Sequence, residues 1–145
     1  MTFQELEALL REESHGGTTG VCGLEAPRPG VLRVLIETVP GRSHAVWLLR
    51  EADGDGEVAR ILAPAAKIPK GRELAPHAAR TLLRRNASLA AGTLAIASLD
   101  EEEHVALVLP LRLATSTAAE ILLAIVRAAN AADAFEETLG GDDAL

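Results

Sequence analysis

The stretch Val31–Ala63, VLRVLIETVPGRSHAVWLLREADGDGEVARILA, decides how this chain folds. Its β-branched and other apolar residues alternate at period two, and two turn signals cut it into three runs. In 31–39, Leu32, Val34 and Ile36 fall on one side, while Arg33, Leu35 and Glu37 fall on the other. Pro40-Gly41 ends that run. In 45–51, Val46 and Leu48 oppose Trp47 and Leu49. Asp53-Gly54-Asp55-Gly56 supplies residues that tolerate positive φ, and it reads as a hairpin turn. The third run, 57–63, carries Val58, Ile61 and Leu62. Turns this short join antiparallel neighbours, so the spacing predicts a three-stranded meander.

On the N-terminal side, residues 3–13 place Phe3, Leu6, Leu9 and Leu10 at helix spacing, and Thr2 with Glu5 forms a capping box. The span 15–30, rich in Gly, Thr and Pro, reads as a flexible loop. On the C-terminal side, residues 72–86 return to helix spacing, with Pro76 in the first turn, where its missing N–H costs little. Strands are expected at 92–99 and 104–113, joined by the acidic tip 100–103. Val105, Leu107, Leu109, Leu111 and Leu113 share one face of the second. Pro110 cannot donate to a ladder, so it places that strand at an edge or ends its regular pairing. The final helix runs from about 118 to 138, opened by Thr117 and Glu120. Gly140-Gly141 stops it, and 140–145 reads as an acidic tail. The order α-β-β-β-α-β-β-α predicts one α+β domain over 1–145. Its sheet is antiparallel, five-stranded and twisted, with helices mainly on one face.

Composition narrows the function classes. The chain has 145 residues, 48 % apolar and 24 % charged, which is ordinary for a globular domain. No apolar run approaches the roughly 20 residues of a membrane helix, and acids stand near the start, where a signal peptide carries bases. A cytoplasmic location and no membrane partner are expected. The single cysteine, Cys22, fits a reducing compartment. Net charge is −7, and the basic stretch 67–85 is flanked by acids, so nucleic acid is not an expected partner. Two phenylalanines, one tryptophan and no tyrosine leave little to stack bases on.

No catalytic constellation stands out, and the chain reads as a binding protein with no cofactor. His15, His44, His77 and His104 are far apart and never at i, i+4, and there is no Cys-x-x-Cys, so no metal site is expected. Cys22 lacks a nearby base. Three residues read as structural: Asn86 as a left-handed cap ending its helix, Gly92 as a backbone requirement where the next strand begins, and Pro110. Alternation assigns Leu32, Val34, Ile36, Val46 and Leu48 to the helix-covered side. Leu35, Trp47, Leu49 and Ile61 are expected on the open side as partner-binding residues, with Trp47 the anchor. A register error of one residue would exchange the two faces. The wide apolar stripe of the last helix predicts a homodimer, with Leu82, Leu94, Ile96 and Val108 as interface residues.

The stretch Leu82–Ile96, LLRRNASLAAGTLAI, is followed by an acidic hairpin, by Leu109-Pro110-Leu111 and by a long last helix. Together these resemble the type III secretion chaperone-like superfamily, in its Tir chaperone and YbjN-related branches. The residue-level likeness spans about 82–126, and the element order nearly the whole chain. The resemblance implies a dimer of small acidic subunits that holds an extended or amphipathic segment of a partner protein. The alternative is a regulatory dimeric scaffold that binds a folded partner such as a small GTPase.

Overall fold

A computed structural model of the chain describes residues 1–138, so the acidic tail expected at 140–145 lies outside the described residues. Helix α1 (Phe3–Ser14) opens on a reciprocal cap: Glu5 N–H donates to the Thr2 hydroxyl, and Thr2 N–H donates to the Glu5 carboxylate. Strands β1 (Val21–Arg28), β2 (Val31–Val39), β3 (Arg42–Asp53) and β4 (Gly56–Lys67) follow as successive hairpins. Helix α2 (Pro76–Asn86) leads to strands β5 (Thr93–Leu99) and β6 (Glu102–Arg112), and helix α3 (Ala118–Thr138) closes the order.

All pairing is antiparallel, in one sheet ordered β1-β2-β3-β4-β6-β5. Among the described residues it has six strands, not the five expected. The added strand is β1, inside the span 15–30 that reads as a loop. Gly23 and Pro27 interrupt its alternation, and its register against β2 shifts twice, between Val21 and Gly23 and between Glu25 and Arg28. Such irregularity belongs to an edge strand, where it discourages pairing with other chains.

The helices pack on one side. Helix α3 lies across β2, β3, β4 and β6, α1 sits against β1 and β4, and α2 against β5. Leu6, Leu10, Val34, Ile36, Val46, Leu48, Ile121 and Ile125 are fully buried there in one continuous core. With Phe3 and Phe135 as its aromatics, the core is otherwise aliphatic, and Ala128, Ala129 and Ala132 let α3 settle closely onto the strands. No helix among the described residues is long and apolar enough to cross a membrane.

Several site expectations change here. Ile61 pairs with Leu48, and Leu62 pairs with Trp47. Ile61 therefore faces the helices and is fully buried, and Leu62 takes its place on the open side. The run Ile61-Leu62-Ala63 is apolar on both faces, so alternation carries no information at that point. Asn86 is no left-handed cap. Among the described non-glycine residues only Asp100 and Glu101, in the β5–β6 turn, have positive φ. The Asn86 carboxamide instead brackets the backbone of Leu94: its Oδ1 accepts from Leu94 N–H at 2.7 Å, and its Nδ2 donates to Leu94 C=O at 3.1 Å. Gly92 has φ +79°, and a Cβ there would meet Leu107 and the Val108 carbonyl at 3.0–3.1 Å. Strand β6 pairs with β5 as far as Val108, opposite Thr93, so Pro110 lies past the end of β5, facing Arg60 of β4. Leu82 and Leu94, expected at a dimer interface, are buried within the chain, whereas Ile96 is exposed and Val108 is half-buried; Leu83 on α2 is exposed as well.

Candidate functional site: the helix-free face of the sheet

The register fixes what the uncovered face presents. One cross-strand row runs Arg33–Trp47–Leu62–Val108 over β2, β3, β4 and β6. The row beside it runs Val31–Leu49–Arg60–Pro110, and on the other side Leu35 pairs with Ala45. Val31, Val58, Leu62, Leu99 and Ala106 are buried on this face, yet they stand apart from the continuous core under the helices. The Arg33 guanidinium lies 5.8 Å from the centre of the Trp47 ring, at cation–π range. Glu25 holds Arg33 at 3.3 Å. On the far side, Arg60 donates to both Glu51 oxygens, at 2.6 and 2.8 Å. Leu35, Trp47 and Leu49 are half-buried on this face beside the two charged pairs. Leu35, Trp47 and Leu49 are thus brought together as expected residues of one face, while Ile61 is not.

The Glu51–Arg60 pair has an electrostatic signature. Hydrogen bonds from Arg60 hold the Glu51 carboxyl below its ordinary value of 4.5, against the opposing effect of desolvation. A lowered folded-state pKa contributes stability above the ordinary carboxylate range, and that stability is lost as pH falls through the folded value. With side chains 38 % and 41 % exposed, solvent screening limits the pair to about 0–1 kcal/mol. Titration followed by carboxyl NMR is expected to show Glu51 losing its charge at lower pH than an ordinary glutamate. Arg60→Gln should return it to the ordinary value. An unmoved titration in Arg60→Gln would mean that the pair is not formed in solution.

Elsewhere, Cys22 is exposed on β1, with its thiol 3.4 Å from the Leu35 carbonyl oxygen. A polar cluster absent from the sequence reading sits where the start of β3 meets the last turns of α3. His44, Asp133 and Glu136 place one donor atom each within 4.8 Å of one another, and Arg42 reaches in beside them. Its residues come from opposite ends of the chain. The only local signal is the Asp-x-x-Glu spacing on α3, which puts both carboxylates on one helix face.

Family models, curated proteins and solved structures give no match to this chain. The face presents an apolar strip beside two opposite-charge pairs. It also has a large aromatic with its polar N–H end, a combination suited to contact with another polypeptide.

Proposed function

We propose that this chain is a non-catalytic protein-binding module that holds an extended or amphipathic segment of a partner protein against the helix-free face of its sheet. The observation that carries this reading is Trp47. It is half-buried at the middle of a sheet face that no helix covers, flanked by Leu35, Leu49 and buried Leu62 and clamped by Arg33. A ring already held in place loses little entropy on binding, which favours an anchor role. The paired charges on either side offer both signs to a peptide backbone or to polar side chains. The pattern over 82–126 that resembles secretion chaperones supports the same reading. Pairing of two copies belongs to it, with Leu83 and Ile96 as its exposed apolar positions, 71 % and 50 % accessible.

Trp47 is the sole tryptophan, so the proposed anchor reports on itself. Peptides selected from a random extended library on the immobilised protein are expected to change its fluorescence on binding. Trp47→Ala should weaken the selected peptides by about tenfold or more, with little change in melting temperature. Light scattering at micromolar concentration should give a two-copy mass. Selected peptides that bind Trp47→Ala with undiminished affinity would remove this face from consideration. A preference for folded, nucleotide-dependent partners over peptides would favour the scaffold alternative.

A further inference from the structure

We propose that His44, Asp133 and Glu136 form a site for a divalent transition-metal ion of the zinc class, in competition with the side chain of Arg42. His44 Nε2 lies 2.6 Å from the Pro64 carbonyl oxygen. A carbonyl only accepts, so Nε2 carries the hydrogen, and in the neutral ring Nδ1 is left as a free lone pair. Histidines that bind metals are commonly oriented in this way, one nitrogen donating to a carbonyl and the other ligating. Nδ1 is aimed at two carboxylate oxygens, Asp133 Oδ1 and Glu136 Oε2, each 3.8 Å away. His44 is 9 % exposed and Asp133 8 %. Among the described residues, the buried Asp133 Oδ1 has no hydrogen-bond partner. A lone pair and two anions, one of them buried, repel one another where they converge unless a cation lies between them.

Arg42 supplies that cation in part. Its Nη2 lies 2.7 Å from Asp133 Oδ1 and 3.9 Å from Glu136 Oε2, but the contact with Asp133 lacks hydrogen-bond alignment. The Arg42 side chain is 42 % exposed and already touches Glu137 through Nη1 at 3.4 Å. It therefore has a place to go, on the solvent side, when an ion enters. A tetrahedral zinc ion with ligands at about 2.0–2.1 Å separates them by about 3.3–3.4 Å. The two 3.8 Å separations from His44 and the 4.8 Å span of the three atoms must close on the ion, a movement available to Glu136, whose side chain is 51 % exposed.

One imidazole nitrogen and two carboxylate oxygens suit zinc, cobalt or nickel. Calcium and magnesium take six or more oxygens. Three protein ligands leave the fourth position to water. The bound ion would tie the start of β3 to the last turns of α3.

The test uses the full chain without an affinity tag, titrated with Zn²⁺ alone by calorimetry, with Co²⁺ absorption reporting the coordination geometry. One ion per chain is expected, and its binding should raise the melting temperature. His44→Gln and Glu136→Gln should each weaken binding by about tenfold or more. Arg42→Met should tighten it, because the competing cation is gone. A plain ion-pair cluster predicts the reverse for Arg42→Met, a loss of stability with no gain in metal affinity, and that result would overturn the proposal. Undiminished binding in His44→Gln would also overturn it, placing the ion on another histidine such as His104, which lines the same shallow hollow. If His44→Gln does not fold, Glu136→Gln decides, and unchanged affinity there is the overturning result.

Discussion

Ile61→Ala is expected to lower the free energy of unfolding by about 3–4 kcal/mol, and Leu49→Ala by about 1 kcal/mol or less. The two positions are close on neighbouring strands, and both are aliphatic. They differ in which face they serve. Ile61 is fully buried beneath the helices, in the same core as Leu48 and Ile125. Truncating it removes three buried carbons and leaves a cavity that a closely packed core cannot collapse to fill. Leu49 is half-buried on the open face, where water fills the space its side chain vacates. Urea unfolding of both variants, compared by midpoint at constant slope, measures the difference. Equal losses would mean that the two faces are not distinct environments, and the case for an open binding face would fall with them.

Asn86→Gly and Asn86→Asp are each expected to cost about 2 kcal/mol. Asn86 ends α2 and is half-buried, and its carboxamide satisfies both backbone groups of Leu94. Glycine removes both bonds and adds backbone freedom to the unfolded chain. Aspartate keeps an acceptor for the Leu94 N–H but sets a carboxylate oxygen against the Leu94 carbonyl, where a donor had been. Thermal melts give the cost, and exchange of the Leu94 amide should speed up most in Asn86→Gly, which removes its acceptor. A neutral Asn86→Gly would be the behaviour of a left-handed cap, and it would contradict the bracket seen here.

How far the sequence reveals this structure depends on whether each signal is local. The meander from β2 to β4 is legible because its alternation and its turn residues agree, at Pro40-Gly41 and again at Asp53–Gly56. Strand β1 is not legible. Gly23 and Pro27 are turn-favouring residues, and the strand persists because β2 offers it a ladder, a tertiary cause. Of the open face, Trp47, Leu35 and Leu49 can be assigned by counting from Val46 and Leu48, whereas Ile61 cannot, because Ile-Leu-Ala has no polar residue to break the tie. Asn86 follows Arg84 and Arg85 as one more polar residue at the end of α2, and its partner is a backbone eight positions on, reached only after a turn. The His44 cluster lies beyond any spacing rule, since folding alone brings β3 to the end of α3.

The strand order has a kinetic consequence. Strands β1 to β4 pair with their sequence neighbours, and so do β5 and β6, but β4 is joined to β6 and not to β5. That seam connects two units that can each zip from a short turn, and it closes a loop carrying the whole of α2. Loop-closure entropy is spent there before α3 can lie across β2, β3, β4 and β6 together. Folding should therefore wait on the meeting of Val58–Lys67 with His104–Arg112. Substitutions along this seam should slow folding, whereas those in the outer hairpin of β1 and β2 should mainly hasten unfolding.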